Sequence, residues 1–225
     1  MRCASQAYRE MTQTSDLPSV LRVLVVINRI GVSGGAERST LEIIDGLHGH
    51  GFEFMVFKLW PVHGPGVTLR LQDAGIPVHV GPRRFLGRLV ALRKLIRSTR
   101  PDVVHSVLFD ADMASRAATA CSRTPNLCSL VSTQYGSAAM DAARSPWRLQ
   151  VVRVLDAATG RLFVRRFHAV SDAVREHART RLWLPNRRIR VVHRGVPQSD
   201  WVYRQRTVEA VFGTNSDWRG MCLSC

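Results

Sequence analysis

Long apolar runs and paired cysteines are both missing from this sequence. Its most apolar stretch, residues 21–27, contains Arg22 and falls far short of the roughly 20 residues that a membrane-spanning helix needs. The first 20 residues carry charges where a secretory signal would have an apolar core. The 5 cysteines are irregularly spaced, and the lone C-x-x-C pattern at residues 222–225 has no second pair to complete a zinc site. We therefore predict a reduced, cytoplasmic protein with no disulfide framework and no metal.

Acidic and aromatic residues are also scarce. Against 32 lysines and arginines stand 17 aspartates and glutamates, which gives a formal net charge of +15 at pH 7. Such a charge attracts phosphate, whether in nucleic acid, in a nucleotide ligand or on an anionic membrane. The alternative is a coding bias toward arginine, because the basic residues are spread along the chain. Aromatic residues make up only 7%, and no pair of strands carries the aromatics that suit single-stranded nucleic acid, so nucleic acid is the less favoured partner.

Predicted strands and helices alternate along the chain from residue 21 onward. Residues 21–27 are rich in β-branched side chains, as in a strand buried on both faces, and a glycine-rich turn leads into a helix at 36–50. Further strands are predicted at 52–59, 76–80, 102–108, 127–133, 163–170 and 189–193, and further helices at 67–74, 85–98, 111–121, 147–158 and 172–181. This alternation indicates an α/β fold, a Rossmann-like, doubly wound and mostly parallel sheet in a single domain. Residues 1–20 are predicted to be a disordered extension and residues 197–225 an atypical tail.

Ligands of such folds bind outside the carboxyl ends of the strands, so the residues that follow each strand are the candidates for function. The glycine-rich turn at 31–37 precedes a helix N-terminus, where N–H groups and the positive end of the helix dipole suit a phosphate. Gly34 and Gly35 would let a ligand approach the backbone closely. The spacing matches neither G-x-G-x-x-G nor Walker A, which argues against a dinucleotide site and an ATPase P-loop. A tight packing turn is the alternative.

Five segments carry a resemblance to a known family, and they stand in that family's order. The turn reads SGGAERS at residues 33–39, residues 69–80 form a helix–glycine–strand unit, and residues 100–105 read RPDVVH. Two further segments are FHAVSDAVR at residues 167–175 and RIRVVHRGV at residues 188–196. Over residues 21–196 the sequence resembles the amino-terminal domain of GT-B fold glycosyltransferases of family 4. The resemblance implies the amino-terminal half of a GT-B fold.

The resemblance also implies an activity. Retaining glycosyltransferases of this kind move a hexosyl group from a nucleotide diphosphate sugar to a glycan or lipid-linked acceptor. By position in the motifs, Gly34, Gly35 and Glu37 would face the donor phosphates and sugar, and His105 and Tyr135 are the candidate catalytic residues. The candidates on the acceptor side are Gln134, Ser171 and Arg194. Neither a metal nor an organic cofactor is implied, because the nucleotide sugar is a substrate.

Two of these candidates have simpler interpretations. His105 also suits a histidine at a strand end whose ring nitrogens are satisfied by backbone groups. Ser171 lies between a predicted strand and a predicted helix, which suits an N-cap, a role compatible with an acceptor contact. The sequence leaves both interpretations open.

The sequence departs from the family at several points. The family's second domain binds the nucleotide and carries an E-x7-E motif, whereas here the alternation stops after Val196 and no two glutamates stand eight residues apart. Val107 replaces the second histidine of the family's H-x-H, and Tyr135 stands where many members have a histidine. A phenol is a poor base near neutral pH, because its ordinary pKa is ~10. We therefore expect the chain to be truncated and inactive alone, unless a separate chain supplies the donor-binding domain. A non-catalytic module that binds a glycan, a lipid or a partner protein is the alternative.

A basic amphipathic helix is predicted within residues 83–100. Seven arginines and lysines, Arg88 among them, surround its apolar stripe. That stripe consists of Phe85, Leu89, Leu92 and Ile96. Such a helix can lie on an anionic membrane surface, which would make the protein peripheral at the inner membrane face. The simpler interpretation, which we favour, packs the stripe on the sheet and leaves the basic residues as a solvated face.

Overall fold

The computed structural model describes residues 20–31, 34–61, 66–136 and 145–193, which contain seven β-strands and six α-helices. The strands are Leu21–Ile27 (β1), Phe52–Lys58 (β2), Val78–Val80 (β3), Val103–Val107 (β4), Asn126–Leu130 (β5), Arg166–Ala169 (β6) and Ile189–Val191 (β7). The helices are Gly35–Leu47 (α1), Gly66–Asp73 (α2), Phe85–Thr99 (α3), Phe109–Thr119 (α4), Pro146–Phe163 (α5) and Asp172–Arg181 (α6). The predicted α/β class is confirmed. The extension and tail predicted at the two ends of the chain lie outside the described residues, apart from Val20.

All seven strands run parallel in one sheet, in the order β3-β2-β1-β4-β5-β6-β7. β1 is buried from Val23 to Ile27, as a strand covered on both faces must be. From β1 the chain moves outward to β3, returns to β4 on the other side of β1, and then continues outward to β7. The direction of winding therefore reverses between β1 and β4, which confirms the doubly wound prediction. β3, which Pro77 directly precedes, lies at the edge of the sheet, where a proline is tolerated.

The side chains of β1 alternate between two apolar cores, because successive residues of a strand point to opposite faces. Val25 and Ile27 pack with α1 and α2 on one face. Leu24 and Val26 pack with α3 and α4 on the other face. α5 and α6 continue this second helix layer over β5 and β6, around the buried ring of Phe167. None of the described helices combines the length and the apolar character needed to cross a bilayer.

The helix α5 is longer than its sequence indicated. It was predicted to end at residue 158, with a strand from residue 163, but it continues through Gly160 to Phe163. A β-carbon at Gly160 would lie 3.5 Å from the ring of Phe167, so the glycine lets the helix approach the sheet closely. Contact with the sheet thus overrides the low helix propensity of glycine.

The interpretation of α3 also needs correction. Arg88 belongs to its buried face, with 5% exposure, and not to a solvated basic face. Its guanidinium stacks on the ring of Trp60 at 3.7 Å from the centroid and donates to two backbone carbonyls of the turn before α3. Phe85, predicted to pack on the sheet, is 56% exposed, whereas Leu92 and Ile96 are buried as expected. The buried side chains of the helix are therefore Arg88, Leu92 and Ile96, while the aromatic ring lies outside.

Candidate functional site

The candidate site is the crevice at the carboxyl ends of β1 and β4. These strands are neighbours, paired as far as Ile27 and Val107, and the winding of the sheet reverses between them. The loops that follow the two strands diverge toward opposite helix layers, which leaves a cleft between them. The loops that follow β5 and β6 begin at the same end of the sheet, because all of the strands run parallel.

Asn28 fastens the end of β1 to the start of α4. Its side-chain oxygen accepts a hydrogen bond from the backbone N–H of Ala111 at 3.0 Å, and its amide nitrogen donates to Asp110 Oδ2 at 3.2 Å. An asparagine from another strand thus caps a helix that begins without a side-chain cap of its own. The sequence places Asn28 and Asp110 after two predicted strands, β1 and β4, but gives no sign that the two residues pair.

Leu108, directly after β4, has a strained backbone. Its φ of 79° and ψ of 152° lie in a region that residues other than glycine rarely adopt. Such a conformation costs about 1–3 kcal/mol and persists only where the surrounding structure imposes it. The strain lies in the crevice, at the residue that turns the chain from β4 into α4.

The glycine turn places an open helix N-terminus at the crevice. Gly34 is the N-cap of α1 and has no side chain with which to cap it, so the first N–H groups of the helix point out from its end. A β-carbon at Gly35 would meet no described atom within 4 Å, which shows space beside this helix end. The predicted position of Gly34 and Gly35 between a strand end and a helix start is confirmed, while Val32 and Ser33 lie outside the described residues.

The carboxylate of Glu37 lies over this turn. A β-carbon at Gly31 would stand 3.1 Å from Glu37 Oε2, and one at Gly34 would stand 3.3 Å from Glu37 Cδ. These glycines therefore make room for the carboxylate, and Gly34 has an ordinary negative φ. A negative charge in the first turn interacts favourably with the helix dipole, in the region where the sequence predicted donor phosphates.

His105 lies inside β4, two residues before its end, and is 7% exposed. Its Nε2 is 2.8 Å from Ser129 Oγ on β5. The same hydroxyl is 3.1 Å from Nδ1 of His168 on β6, whose Nε2 is 3.0 Å from the carbonyl oxygen of Val192. A line of hydrogen bonds therefore crosses the sheet from β4 to the segment after β7.

The chemistry of these groups fixes the direction of the hydrogen bonds when both rings are neutral. The carbonyl of Val192 can only accept, so His168 Nε2 donates to it. His168 Nδ1 must then accept from the hydroxyl of Ser129, and that hydroxyl oxygen accepts from His105 Nε2. The simpler interpretation of His105 named backbone partners, whereas a serine hydroxyl from the neighbouring strand satisfies the ring.

Tyr135 points into the protein and is 3% exposed. Its hydroxyl donates to Asp156 Oδ2 in α5 at 2.9 Å, and its backbone N–H donates to Nε2 of His177 at 3.3 Å. Burial, helped by the negative charge of Asp156, raises the pKa of the phenol well above its ordinary value. Burial also lowers the pKa of His177, which keeps the imidazole neutral and able to accept. These contacts anchor the loop after β5 and do not favour a catalytic role for the phenol.

A buried polar cluster that the sequence did not reveal lies under this loop. Arg116 in α4 donates to Asp156 Oδ1 at 2.6 Å and to Thr159 Oγ1 at 3.0 Å. Asp112, one turn earlier in α4, is buried, and its Oδ1 has no described partner. Burial, opposed by the charge of Arg116 and by hydrogen bonds from Ser106 and Cys128, raises the pKa of Asp112 to about 6. The ion pair joins residues 40 positions apart, a distance at which sequence pattern carries no signal.

The three candidates for the acceptor side differ in placement. Gln134 is exposed in the loop after β5. Ser171 is the N-cap of α6, where its Oγ accepts from the N–H of Val174 at 3.3 Å, as its simpler interpretation required. Arg194 lies outside the described residues. The sheet thus brings Gln134 and Ser171 to one edge with the glycine turn, while the side chains of His105 and Tyr135 turn inward.

Comparison with protein families gives one match. The sequence model described as Glycosyltransferase Family 4 matches residues 33–200, which is most of the chain and includes Gly34, Gly35 and the loops after β4, β5 and β6. No curated protein matches the sequence significantly.

Comparison with solved structures finds the same fold in larger proteins. A glycosyltransferase from Rickettsia africae ESF-5 has a TM-score of 0.58 at 17% identity, over 88% of this chain and 51% of that one. Anabaena Alr3699/HepE in complex with UDP-glucose has a TM-score of 0.58 at 18% identity, over 86% and 50%. A UDP-N-acetylglucosamine 2-epimerase from Rickettsia bellii has a TM-score of 0.55 at 9% identity, over 90% and 51%. The chain spans about half the length of these structures, and at such identities the likeness establishes the fold alone.

Proposed function

The chain belongs to glycosyltransferase family 4, and we propose that it forms the acceptor-side domain of a retaining glycosyltransferase that uses a nucleotide diphosphate sugar. The family match supports the reaction class. The fold does not separate transferases from epimerases, because the similar structures include both.

The observation that carries the proposal is the open N-terminus of α1 at the point where the winding reverses. Gly35 borders open space there, and the N–H groups at the helix end suit a donor phosphate. The carboxylate of Glu37 lies beside them, so a bound phosphate would displace it or leave it to contact a sugar hydroxyl. UDP-glucose bound to the Anabaena protein is consistent with a nucleotide sugar as donor.

We propose that turnover needs a second, donor-binding domain, in the same polypeptide or in a separate chain. The chain spans about half of the similar structures, and within the described residues the crevice is bordered on one side only by the loops of this sheet. By itself the chain would therefore bind donor weakly.

The test is calorimetric titration of the chain with UDP-glucose, GDP-glucose and ADP-glucose, using Gly35→Leu as the probe. A leucine at Gly35 projects into open space, so it should block the phosphate without disturbing the fold. Gly46→Leu is the matched control, because a side chain there also meets no described atom within 4 Å and lies at the other end of α1. We expect Gly35→Leu to weaken donor binding at least about tenfold and the control to leave it unchanged. Equal weakening by both variants, or binding that Gly35→Leu does not alter, would contradict the proposal.

A non-catalytic binding module is the second candidate. It is favoured by one observation, that the side chains of both catalytic candidates, His105 and Tyr135, are buried and hydrogen-bonded within the domain. Such a module would bind a glycan or lipid acceptor without any dependence on nucleotide sugar. Acceptor binding that is unchanged by added donor, together with no donor binding by the folded chain, would favour this candidate.

The acceptor is proposed to lie at an anionic membrane surface. Besides α3, which exposes Leu86 and Val90, the helix α5 exposes an apolar stripe along its whole length. That stripe consists of Trp147, Val151, Val154, Leu155 and Leu162. The exposed charged residues of α3 and α5 are all basic, and the one acidic residue of α5, Asp156, is buried. Two helices in one layer thus offer apolar side chains with a basic rim, which complements anionic lipid.

Vesicle sedimentation tests the membrane proposal. We expect the chain to bind vesicles of phosphatidylcholine with phosphatidylglycerol but not vesicles of phosphatidylcholine alone. Leu155→Glu should abolish this binding, while Leu69→Glu, at an exposed leucine of α2 in the opposite helix layer, should not. Retention that is the same for both variants would contradict a specific role of α5.

A further inference from the structure

A groove lies at the amino ends of β5, β6 and β7. The crevice described above lies at the carboxyl ends of the strands, which is the opposite end of the sheet. The groove encloses about 990 Å³ between the end of α4, the end of α5 and the turn before β7. Five arginines line it, and no aspartate or glutamate does. They are Arg123, Arg165, Arg166, Arg187 and Arg188.

The arginine side chains keep their charge uncompensated. Among the described residues, none of the five forms an ion pair with a carboxylate. Two of them are held in place by the backbone: Arg188 donates to the carbonyl of Arg161 at 2.7 Å, and Arg166 donates to the carbonyl of Arg187 at 3.3 Å. Cations fixed close together repel one another, and an anion in the groove would relieve that repulsion.

A buried amide adds an independent indication of a ligand. Asn126, which also lines the groove, is 2% exposed, and its Nδ2 has no partner among the described residues. A buried donor without an acceptor costs about 1–3 kcal/mol, so buried polar atoms of this kind are normally paired. The hydroxyls of Ser122 and Thr124 lie in the same lining. The groove therefore offers guanidinium and hydroxyl donors to an anion, and no carboxylate lines it.

We propose that this arginine groove binds an anion with more than one phosphate group. Arginine presents a planar fork of N–H donors that matches phosphate oxygens, and several forks spread over a groove suit several phosphates. The proposal does not rest on donor binding, because the groove and the glycine turn lie at opposite edges of the sheet. The phosphates would belong to a soluble polyphosphate or to anionic lipid headgroups, since exposed Leu162 and Phe163 border the groove.

The experiment uses the full chain and two double variants. Arg123→Ala with Arg165→Ala removes two groove arginines whose side chains make no described hydrogen bond. Arg175→Ala with Arg179→Ala removes the same formal charge from exposed positions of α6 and serves as the control. Each protein is titrated with tripolyphosphate and with sulfate at one ionic strength, and is sedimented with vesicles with and without phosphatidylglycerol.

Tripolyphosphate should bind the unaltered chain more tightly than sulfate, and the groove variant should lose at least about tenfold in affinity while the control loses less than about twofold. Gly35→Leu, which leaves the groove unaltered, should bind tripolyphosphate as tightly as the unaltered chain does. Binding to anionic vesicles alone, lost in the groove variant and kept in the control, would also support the site and assign the phosphates to lipid. The proposal is overturned if tripolyphosphate binds no better than sulfate and the groove variant is retained by anionic vesicles to the same extent as the unaltered chain, or if both double variants lose binding equally.

Discussion

The hydroxyl of Tyr135 and the carboxylate of Asp156 lie 2.9 Å apart, and this hydrogen bond ties the loop after β5 to the middle of α5. The other oxygen of the same carboxylate accepts from Arg116 in α4. Two helices and one loop of the crevice edge thus meet at a single buried carboxylate. The Tyr135–Asp156 hydrogen bond, which lies inside the protein and involves no ligand, therefore holds this loop in its position at the candidate site.

Tyr135→Phe should destabilise the domain. The change removes the hydroxyl donor and leaves Asp156 Oδ2 buried without its partner, which costs about 1–3 kcal/mol in free energy of unfolding. Urea denaturation followed by circular dichroism measures this loss. A phenol that served chemistry alone would give the opposite result, with full stability and loss of activity only.

Ser129→Ala should interrupt the hydrogen bonds between His105 and His168. Both imidazoles would lose a partner at once, so we expect a loss of about 1–3 kcal/mol. Ser98→Ala is the matched control, because its hydroxyl donates to a carbonyl on the exposed side of α3. Comparable losses in the two variants would mean that the line of hydrogen bonds adds nothing to stability.

Asp112→Asn should change how stability depends on pH. The ordinary pKa of the carboxyl is 3.8 and its folded value is about 6, so between these values the folded chain holds the proton more tightly. Stability from this group is complete below pH 4 and is lost as the pH rises through 6, by on the order of 3 kcal/mol. We expect the free energy of unfolding, measured by urea denaturation, to fall more between pH 5 and pH 7.5 for the unaltered chain than for the asparagine variant.

Asp73→Asn, at an exposed position of α2, is the control for that measurement. It should follow the unaltered chain at both pH values. If Asp112→Asn also follows the unaltered chain, the carboxyl of Asp112 does not titrate in this range.

Arg88→Lys should destabilise the chain although it keeps the charge. A lysine can neither donate to both carbonyls of the turn before α3 nor stack flat on Trp60. We expect a loss of about 1–2 kcal/mol in thermal or urea unfolding. Arg93→Lys, on the same helix, is the comparison and should be close to neutral. An equal change in stability in the two variants would mean that the contacts of Arg88 contribute no more than those of an exposed arginine, as the sequence predicted.

The sequence pattern identified all seven described strands and all six described α-helices, because apolar side chains repeat locally with the spacing of the element that buries them. The glycine turn was placed between β1 and α1 for the same reason, since turn residues and helix starts have local signals. The predicted ends of elements were wrong where a contact with a residue distant in the sequence determines the end. Helix α5 continues past residue 158 because Gly160 packs against Phe167 of the next strand. The role of Arg88 was missed because its partner Trp60 belongs to another loop.

By itself the sequence determined the α/β class, the mostly parallel sheet and the residues that follow each strand, because each follows from the order and burial pattern of short segments. Only the tertiary structure decided which polar side chains meet one another. His105 and Ser129 are 24 positions apart, and Arg116 and Asp156 are 40 apart. Such pairs form only when strand register and helix packing bring two faces together, and a shift of one residue in a strand would turn each side chain to the opposite face.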